Sequence, residues 1–223
     1  MFGAVPQNNL GDLLYRGYSL QDVITWGPMD IGLISGGAGI TELSNLTVDN
    51  LRTIVQSLSQ LDEIADIVIV DTGAGISDAV MEFLVAGGEV FLVTTPEPTS
   101  IMDSYSLLKS LSRHPKYAED ETKIKLIANK VHSPGDGDVL YEKLSTVSGK
   151  YLGLSLEYLG EVPEDTQLTR AVMQQKPVSI AFPRAISSQA YERIAAKLTE
   201  KPAANVGRKG MASFFSSLLR LKK

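Results

Sequence analysis

The 223-residue chain holds 21 basic and 26 acidic residues, a formal net charge of −5, and is 43% hydrophobic and 21% charged, the balance of a globular chain with room for one large core. With no cysteine and only two histidines, His114 and His132, the sequence excludes disulfides, thiolate metal sites and a histidine-based metal centre, and a reducing compartment is expected. No apolar run approaches the roughly 20 residues of a membrane span, and no signal peptide is read at Met1–Leu10, which lacks a basic start and an apolar block.

Charge is unevenly placed. From Asn205 onward there are five basic residues and no acidic one, whereas the preceding 204 residues hold 16 basic against 26 acidic. The acidic body argues against nucleic acid as a partner, and the basic end points toward an anionic surface.

Short apolar strands alternate with helical segments, which predicts an α/β fold: a doubly wound, mostly parallel sheet with helices on both faces. A strand is predicted at 30–35 (DIGLIS). The glycine-rich turn SGGAGI follows, then a helix over roughly 41–61 with Leu46, Leu51, Ile54, Val55 and Leu58 at helical spacing. DIVIVD, 66–71, reads as a strand buried on both faces, leading to a helix near 77–86. EVFLVTT, 89–95, is the next strand, with a helix near 99–113 capped by Thr99 or Ser100. KIKLIANKV, 123–131, is a strand before a helix near 136–149, and LEYLGEVPED, 156–165, is strand and loop before a short helix ending near Gln175. PVSIAF reads as extended and 184–200 as a helix. Residues 201–210 read as a flexible linker, and 211–223 as a separate closing element. Trp26 is expected to pack in a loop and both histidines to lie at the surface.

Asp71 ends the apolar run Ile67–Val70, at the strand end where open α/β sheets bind ligands. Gly73 and Gly75 let the backbone turn sharply and offer amides to an anion. Two readings stay open from these residues: phosphate or metal work by Asp71, or an Asx-turn capping the helix near Ser77. The phosphate cradle G-x-x-x-x-G-K-[ST] is absent, since Gly149-Lys150 has Leu144 in place of the first glycine and Tyr151 after it. SGGAGI carries no lysine and reads as a turn. In TTPEPTS, Pro96 and Pro98 flank Glu97 and stiffen the strand exit. Asn129 ends another strand with an amide that suits either a purine edge or a turn. Pro163, Glu164 and Asp165 precede a helix, a place where the helix dipole alone favours acidic residues.

The blocks MDIGLISGGAGITELSNLT, DIVIVDTGAGISDAVMEFLVAGGEVFLVTTPEPTSIMDSYSLLK, LIANKV and GEVPEDTQLTRAVMQQKPV together resemble the MinD/ParA family of deviant P-loop ATPases over nearly the whole chain. DTGAGIS with TTPEPTSIMDSY resembles its flagellar-placement branch, FlhG (also called YlxH). The resemblance implies ATP and Mg²⁺ as cofactors, with Asp71 as the Walker B carboxylate acting on Mg²⁺ through water. It implies that Thr72, Gly73, Ala74 and Gly75 form the switch II loop that senses the γ-phosphate. Asn129 would contact adenine, and Pro163, Glu164 and Asp165 would line the base pocket. An ATP-bound homodimer is implied too, with the flagellar GTPase FlhF and flagellar basal-body components as partners, in a cytoplasmic protein peripheral on the inner face of the cell membrane.

The family's N-terminal strand, its K-G-G-x-G-K-[ST] loop and its switch I aspartates are expected to precede residue 1. The chain is therefore expected to be a fragment or the product of an internal start, with an unpaired edge beside DIVIVD, that neither binds ATP tightly nor hydrolyses it.

On a helical wheel, at about 100° per residue, Met211, Phe214, Phe215, Leu218, Leu219 and Leu221 gather on one side. Ala212, Ser213, Ser216, Ser217 and Arg220 take the other, with Lys222 and Lys223 at the end. Such a helix suits an anionic membrane interface, the targeting role that the resemblance also implies; docking on its own domain is the alternative. One copy of so short a helix binds weakly, and pairing two tails in a dimer raises avidity. For the whole chain, the alternatives are a non-catalytic truncated homologue that binds partners and membrane, and a MinD-like regulator of the division site.

Overall fold

The computed structural model describes residues 3–37, 53, 56–117, 122–199, 210–211 and 213–214. The chain divides into two compact units, residues 1–71 with 209–223, and residues 72–208.

The first unit opens with α1 (Leu10–Tyr15) and α2 (Leu20–Val23). Helices this short are not stable by propensity, and each is held by a capping box. Asn9 Oδ1 accepts the Gly11 N–H while Asp12 accepts the Asn9 N–H, and Ser19 and Asp22 repeat the exchange. β1 (Ile24–Trp26) and β2 (Gly32–Ile34) pair antiparallel around a 3₁₀ turn at Pro28–Asp30. The DIGLIS strand is thus one arm of a hairpin. Trp26, expected in a loop, lies in the other arm and is 60% exposed. Gly37, at φ 57, closes the unit's first half against the Asn9 side chain, where a Cβ would sit only 2.7 Å from Cγ.

Of the helix predicted over 41–61, residues 41–52, 54 and 55 lie outside the described residues, and 56–59 are helical. A further turn, α3 (Leu61–Ile64), adds Leu61 to a small core of Leu13, Leu20, Val23 and Leu58. Residues 66–71 depart from expectation. They join no strand ladder among the described residues and stand open to solvent, Ile67 at 64% and Ile69 at 72%. The prediction of a strand buried on both faces is corrected for a physical reason. An apolar β-forming run supplies propensity, but a strand is held by hydrogen-bonded neighbours and covering layers.

The second unit begins with α4 (Asp78–Ala86) and carries a parallel sheet in simple chain order: β3 (Glu89–Thr94), β4 (Lys123–Val131) and β5 (Leu156–Pro163). The crossovers are α5 (Pro98–Ser112) and α6 (Asp136–Leu152); α7 (Thr166–Met173), α8 (Val178–Ala181) and α9 (Ile186–Thr199) follow. Alternation along β3 and β4 sends Val90, Leu92, Ile124, Leu126 and Ala128 into a core with Leu108, Leu111, Leu140 and Leu144. A second cluster joins Leu159 and Val162 of β5 to Ala190 and Ile194 of α9, so helices flank the sheet as the α/β pattern predicts.

Three local expectations are corrected in this unit. PVSIAF is helical at Val178–Ala181, because Pro177 presets the entry and the Phe182 N–H closes on the Val178 carbonyl at 2.7 Å. α5 begins at Pro98 with Glu97 in the cap position, not Thr99 or Ser100. Ser100 Oγ instead accepts the Thr95 N–H and meets Thr94 Oγ1, both at 3.0 Å, which ties the strand exit to the helix. His114 is partly buried, with Nε2 3.5 Å from the Glu82 carboxylate, rather than free at the surface.

Candidate functional site

Parallel strands end on the same side of a sheet, and β4 and β5 do so as neighbours. Their register pairs Asn129 with Val162 and Val131 with Pro163, leaving Lys130 out of the ladder. The Glu164 N–H then donates to the Val131 carbonyl at 3.0 Å. Asn129, Pro163, Glu164 and Asp165, far apart in sequence, are therefore brought together at the carboxyl end of the sheet, the usual ligand side of this architecture.

These residues differ in what they are free to do. Asp165 caps α7: one oxygen accepts the Gln167 N–H at 2.8 Å, and the other accepts the Ser187 N–H at 3.1 Å and its hydroxyl at 2.7 Å. Burial opposes ionisation of Asp165. Hydrogen bonds from the Ser187 hydroxyl and amide and from the Gln167 and Leu168 amides outweigh it and hold the carboxyl below the usual range. Glu164 is exposed, its Oε2 3.0 Å from His132 Nδ1. Asp136 accepts the amides of His132 at 3.3 Å and Ser133 at 2.8 Å, fixing the loop that follows β4. The Asn129 amide is half-buried and makes no hydrogen bond among the described residues. Gly137 admits α6 to this end of the sheet: a Cβ there would strike the Tyr158 hydroxyl and the Glu161 carboxylate, and its N–H donates to Glu161 Oε2 at 3.1 Å.

The Asp71 carboxylate is exposed and unpaired among the described residues, and the division between the two units falls directly after it. In the loop from Thr72 to Gly75, both glycines have open space where a Cβ would stand, and Gly75 adopts φ 111, a conformation that L side chains resist. The helix that follows is capped by Ser77, whose Oγ accepts the Val80 N–H at 3.4 Å, so Asp71 is not its cap. Among the described residues no three His, Asp or Glu side chains converge as a metal site.

The first turn of the tail is described and lies on the first unit. The Met211 N–H donates to both oxygens of Asp62, at 2.9 and 3.0 Å. Gly210 lies so close to the same carboxylate that a Cβ would stand 2.7 Å from Oδ2. Met211 packs on the Leu13–Leu61 cluster, and Phe214 is only 8% exposed. Phe215, Leu218, Leu219, Arg220, Leu221, Lys222 and Lys223 lie outside the described residues, as do 201–209 of the predicted linker. Among the described residues no helix is long and apolar enough to cross a membrane. Nothing in the sequence marks Asp62 as the partner of this turn, because the contact joins residues 149 positions apart.

No protein-family model matches the chain. It is 34% identical over 202 residues to the antiactivator FleN of Pseudomonas aeruginosa, covering 91% of this chain and 71% of FleN. It is 32% identical over 225 residues to the flagellum site-determining protein YlxH of Helicobacter pylori, covering 99% of this chain and 74% of YlxH. The chain belongs to the MinD/ParA family of ATPases, close to FlhG. Two solved structures share the fold of this FlhG-type chain. A ParA family ATPase from Chlorobium tepidum is 20% identical with a TM-score of 0.62, covering 89% of this chain and 77% of that one. The septum site-determining protein MinD from Pyrococcus horikoshii, complexed with Mg-ADP, is 18% identical with a TM-score of 0.60, covering 87% and 74%.

Proposed function

We propose that this FlhG-type chain carries the base side of an adenine-nucleotide site together with a membrane tail whose release answers to that site, in a protein that regulates flagellar number and placement. The observation that carries the reading is the docked first turn of the tail, with Met211 held by Asp62 and Phe214 buried, on a body of this family. An amphipathic helix with basic ends that has a seat on its own body can exist in two states, docked or in an anionic interface. Nucleotide-dependent pairing of two chains favours the membrane state, since two tails bind with avidity. FlhF and basal-body components are the partners this reading assigns.

The residues at the base side fit a nucleotide: Asn129 has an unengaged amide at the ligand end of the sheet. Asp71 would hold Mg²⁺ through water, and the backbone of Thr72–Gly75 would face the phosphates. The metal, when bound, neutralises phosphate charge. The 223 residues contain no lysine-bearing phosphate loop. Phosphate release from ATP by the purified chain is accordingly expected at the level of its Asp71→Ala variant; turnover clearly above that control would overturn this assignment.

Co-sedimentation with phosphatidylglycerol-containing vesicles tests the tail. Asp62→Ala removes the acceptor of the Met211 N–H, a bond worth about 1 kcal/mol net, and is expected to raise vesicle binding roughly fivefold. Removing residues 206–223 is expected to abolish it. Equal pelleting with and without 206–223 would sink the membrane reading, and unchanged binding by Asp62→Ala would sink the competition between docking and membrane.

A further inference from the structure

Trp26 is the only tryptophan of the chain, and the β1–β2 hairpin holds it outside the core. The hairpin pairs Ile24 with Ile34 and Trp26 with Gly32, so these four residues share one face. Ile24 and Ile34 pack on the Leu13–Leu61 cluster, whereas Trp26 stays open to solvent. Gly32, opposite it, offers no side chain, and a Cβ there would meet indole Cζ3 and Cη2 at 3.5 and 3.8 Å. The indole therefore rests on bare backbone with its other face free. Beyond it, the 3₁₀ turn projects Met29, 82% exposed, and Ile31 is exposed as well. Met29 and Asp30 both adopt φ 57, a left-handed conformation that is costly for residues with side chains.

Charge decides what suits this surface. Between Arg16 and Arg52 the sequence has no basic residue, against the acidic Asp22, Asp30, Glu42 and Asp49. Asp22 is held by the Ser19 amide and hydroxyl. The Asp30 side chain is exposed at the hairpin tip and makes no hydrogen bond or ion pair among the described residues. An open indole face attracts a cation, best a planar guanidinium, and a free carboxylate at the same tip completes the match. An anionic membrane is repelled by these carboxylates, and a second copy of the hairpin brings the same unmatched charge.

We infer that the β1–β2 hairpin is a docking surface for a basic, apolar protein segment, with an arginine of that segment laid over Trp26 and paired with Asp30. Met29 and Ile31 take its apolar side chains, and the two left-handed residues hold the tip in the form that presents them.

As the lone tryptophan, Trp26 reports directly on its own surface. The full chain is titrated with a synthetic amphipathic peptide of leucine and arginine, and with its leucine–glutamate counterpart. Trp26 emission should change saturably with the first and not with the second. In anisotropy with the labelled arginine peptide, Trp26→Ala should weaken binding roughly fivefold, and Asp30→Asn about threefold. Glu157→Gln, which removes one exposed charge from the second unit, should bind as the parent does. All three variants should melt within a few degrees of the parent, because these side chains lie outside the cores. Equal binding of the two peptides, or equal losses in Asp30→Asn and Glu157→Gln, would overturn the inference in favour of the general field of an acidic body. A chain lacking 206–223 that binds the arginine peptide at least tenfold more tightly than the parent would assign the surface to the protein's own tail and overturn the external partner. Phosphatidylglycerol vesicles that shift Trp26 emission in that shortened chain would assign it to a membrane and overturn it as well.

Discussion

Asp165→Ala is expected to lower the stability of the second unit by about 3 kcal/mol, through loss of the α7 cap and of the acceptor for Ser187. Ser187 is fully buried, so its hydroxyl and amide would be stranded rather than returned to water. The melting temperature should fall by roughly 8 °C. Asp165→Asn keeps one acceptor oxygen and should lose about half as much. A pH dependence follows from the lowered carboxyl pKa. A group whose folded pKa lies below its unfolded value of about 3.9 contributes fully above that value and loses the contribution as pH falls through the folded pKa. The gap between parent and Asp165→Ala should therefore be wide at neutral pH and close in strong acid. Urea melts at both pH values measure it. A melting temperature for Asp165→Ala within 2 °C of the parent, about the effect of 1 kcal/mol or less, would show that this joint is dispensable. Asp165 would then be available to line the base pocket instead.

The second large effect concerns solubility. Ile67 and Ile69 are 64% and 72% exposed in a β-forming run without a ladder, and β3 leaves Phe91 and Val93 36% and 55% exposed. Unpaired apolar β segments are templates for association, and natural proteins place charge on them to prevent it. The chain should therefore self-associate as its concentration rises. Ile67→Lys with Ile69→Lys, two changes on alternate residues of the run, should reduce the associated fraction by about tenfold. Sedimentation velocity across a dilution series reads this directly. A parent chain that stays monomeric throughout the series would remove the basis for the expectation.

Where local chemistry and packing agree, the sequence was a sufficient guide. Lys123–Val131 was legible to the residue, because alternating burial, flanking charge and length all specify one strand. Asp78–Ala86 was nearly so, with Ser77 as an ordinary cap. The failures share a cause. Residues 66–71 have the composition of a central strand, but composition does not supply neighbours. β1 is three residues long, too short for periodicity to register, and exists through its pairing with β2, the strand predicted at 30–35. At the site, the strand ends and the gathering of Asn129 with Pro163–Asp165 could be read from order along the chain. The commitment of Asp165 to Ser187 could not, since it depends on how α9 returns across β5.

The contact between Asp62 and Met211 makes the first unit discontinuous in sequence, with residues 72–208 interposed between its parts. The Leu13–Leu61 core takes Met211 from beyond residue 208, so its packing cannot be completed until all of residues 72–208 have been synthesised. Domains ordinarily mature in the order in which they emerge; here a whole second unit must leave the ribosome before the unit that encloses it in sequence can be finished.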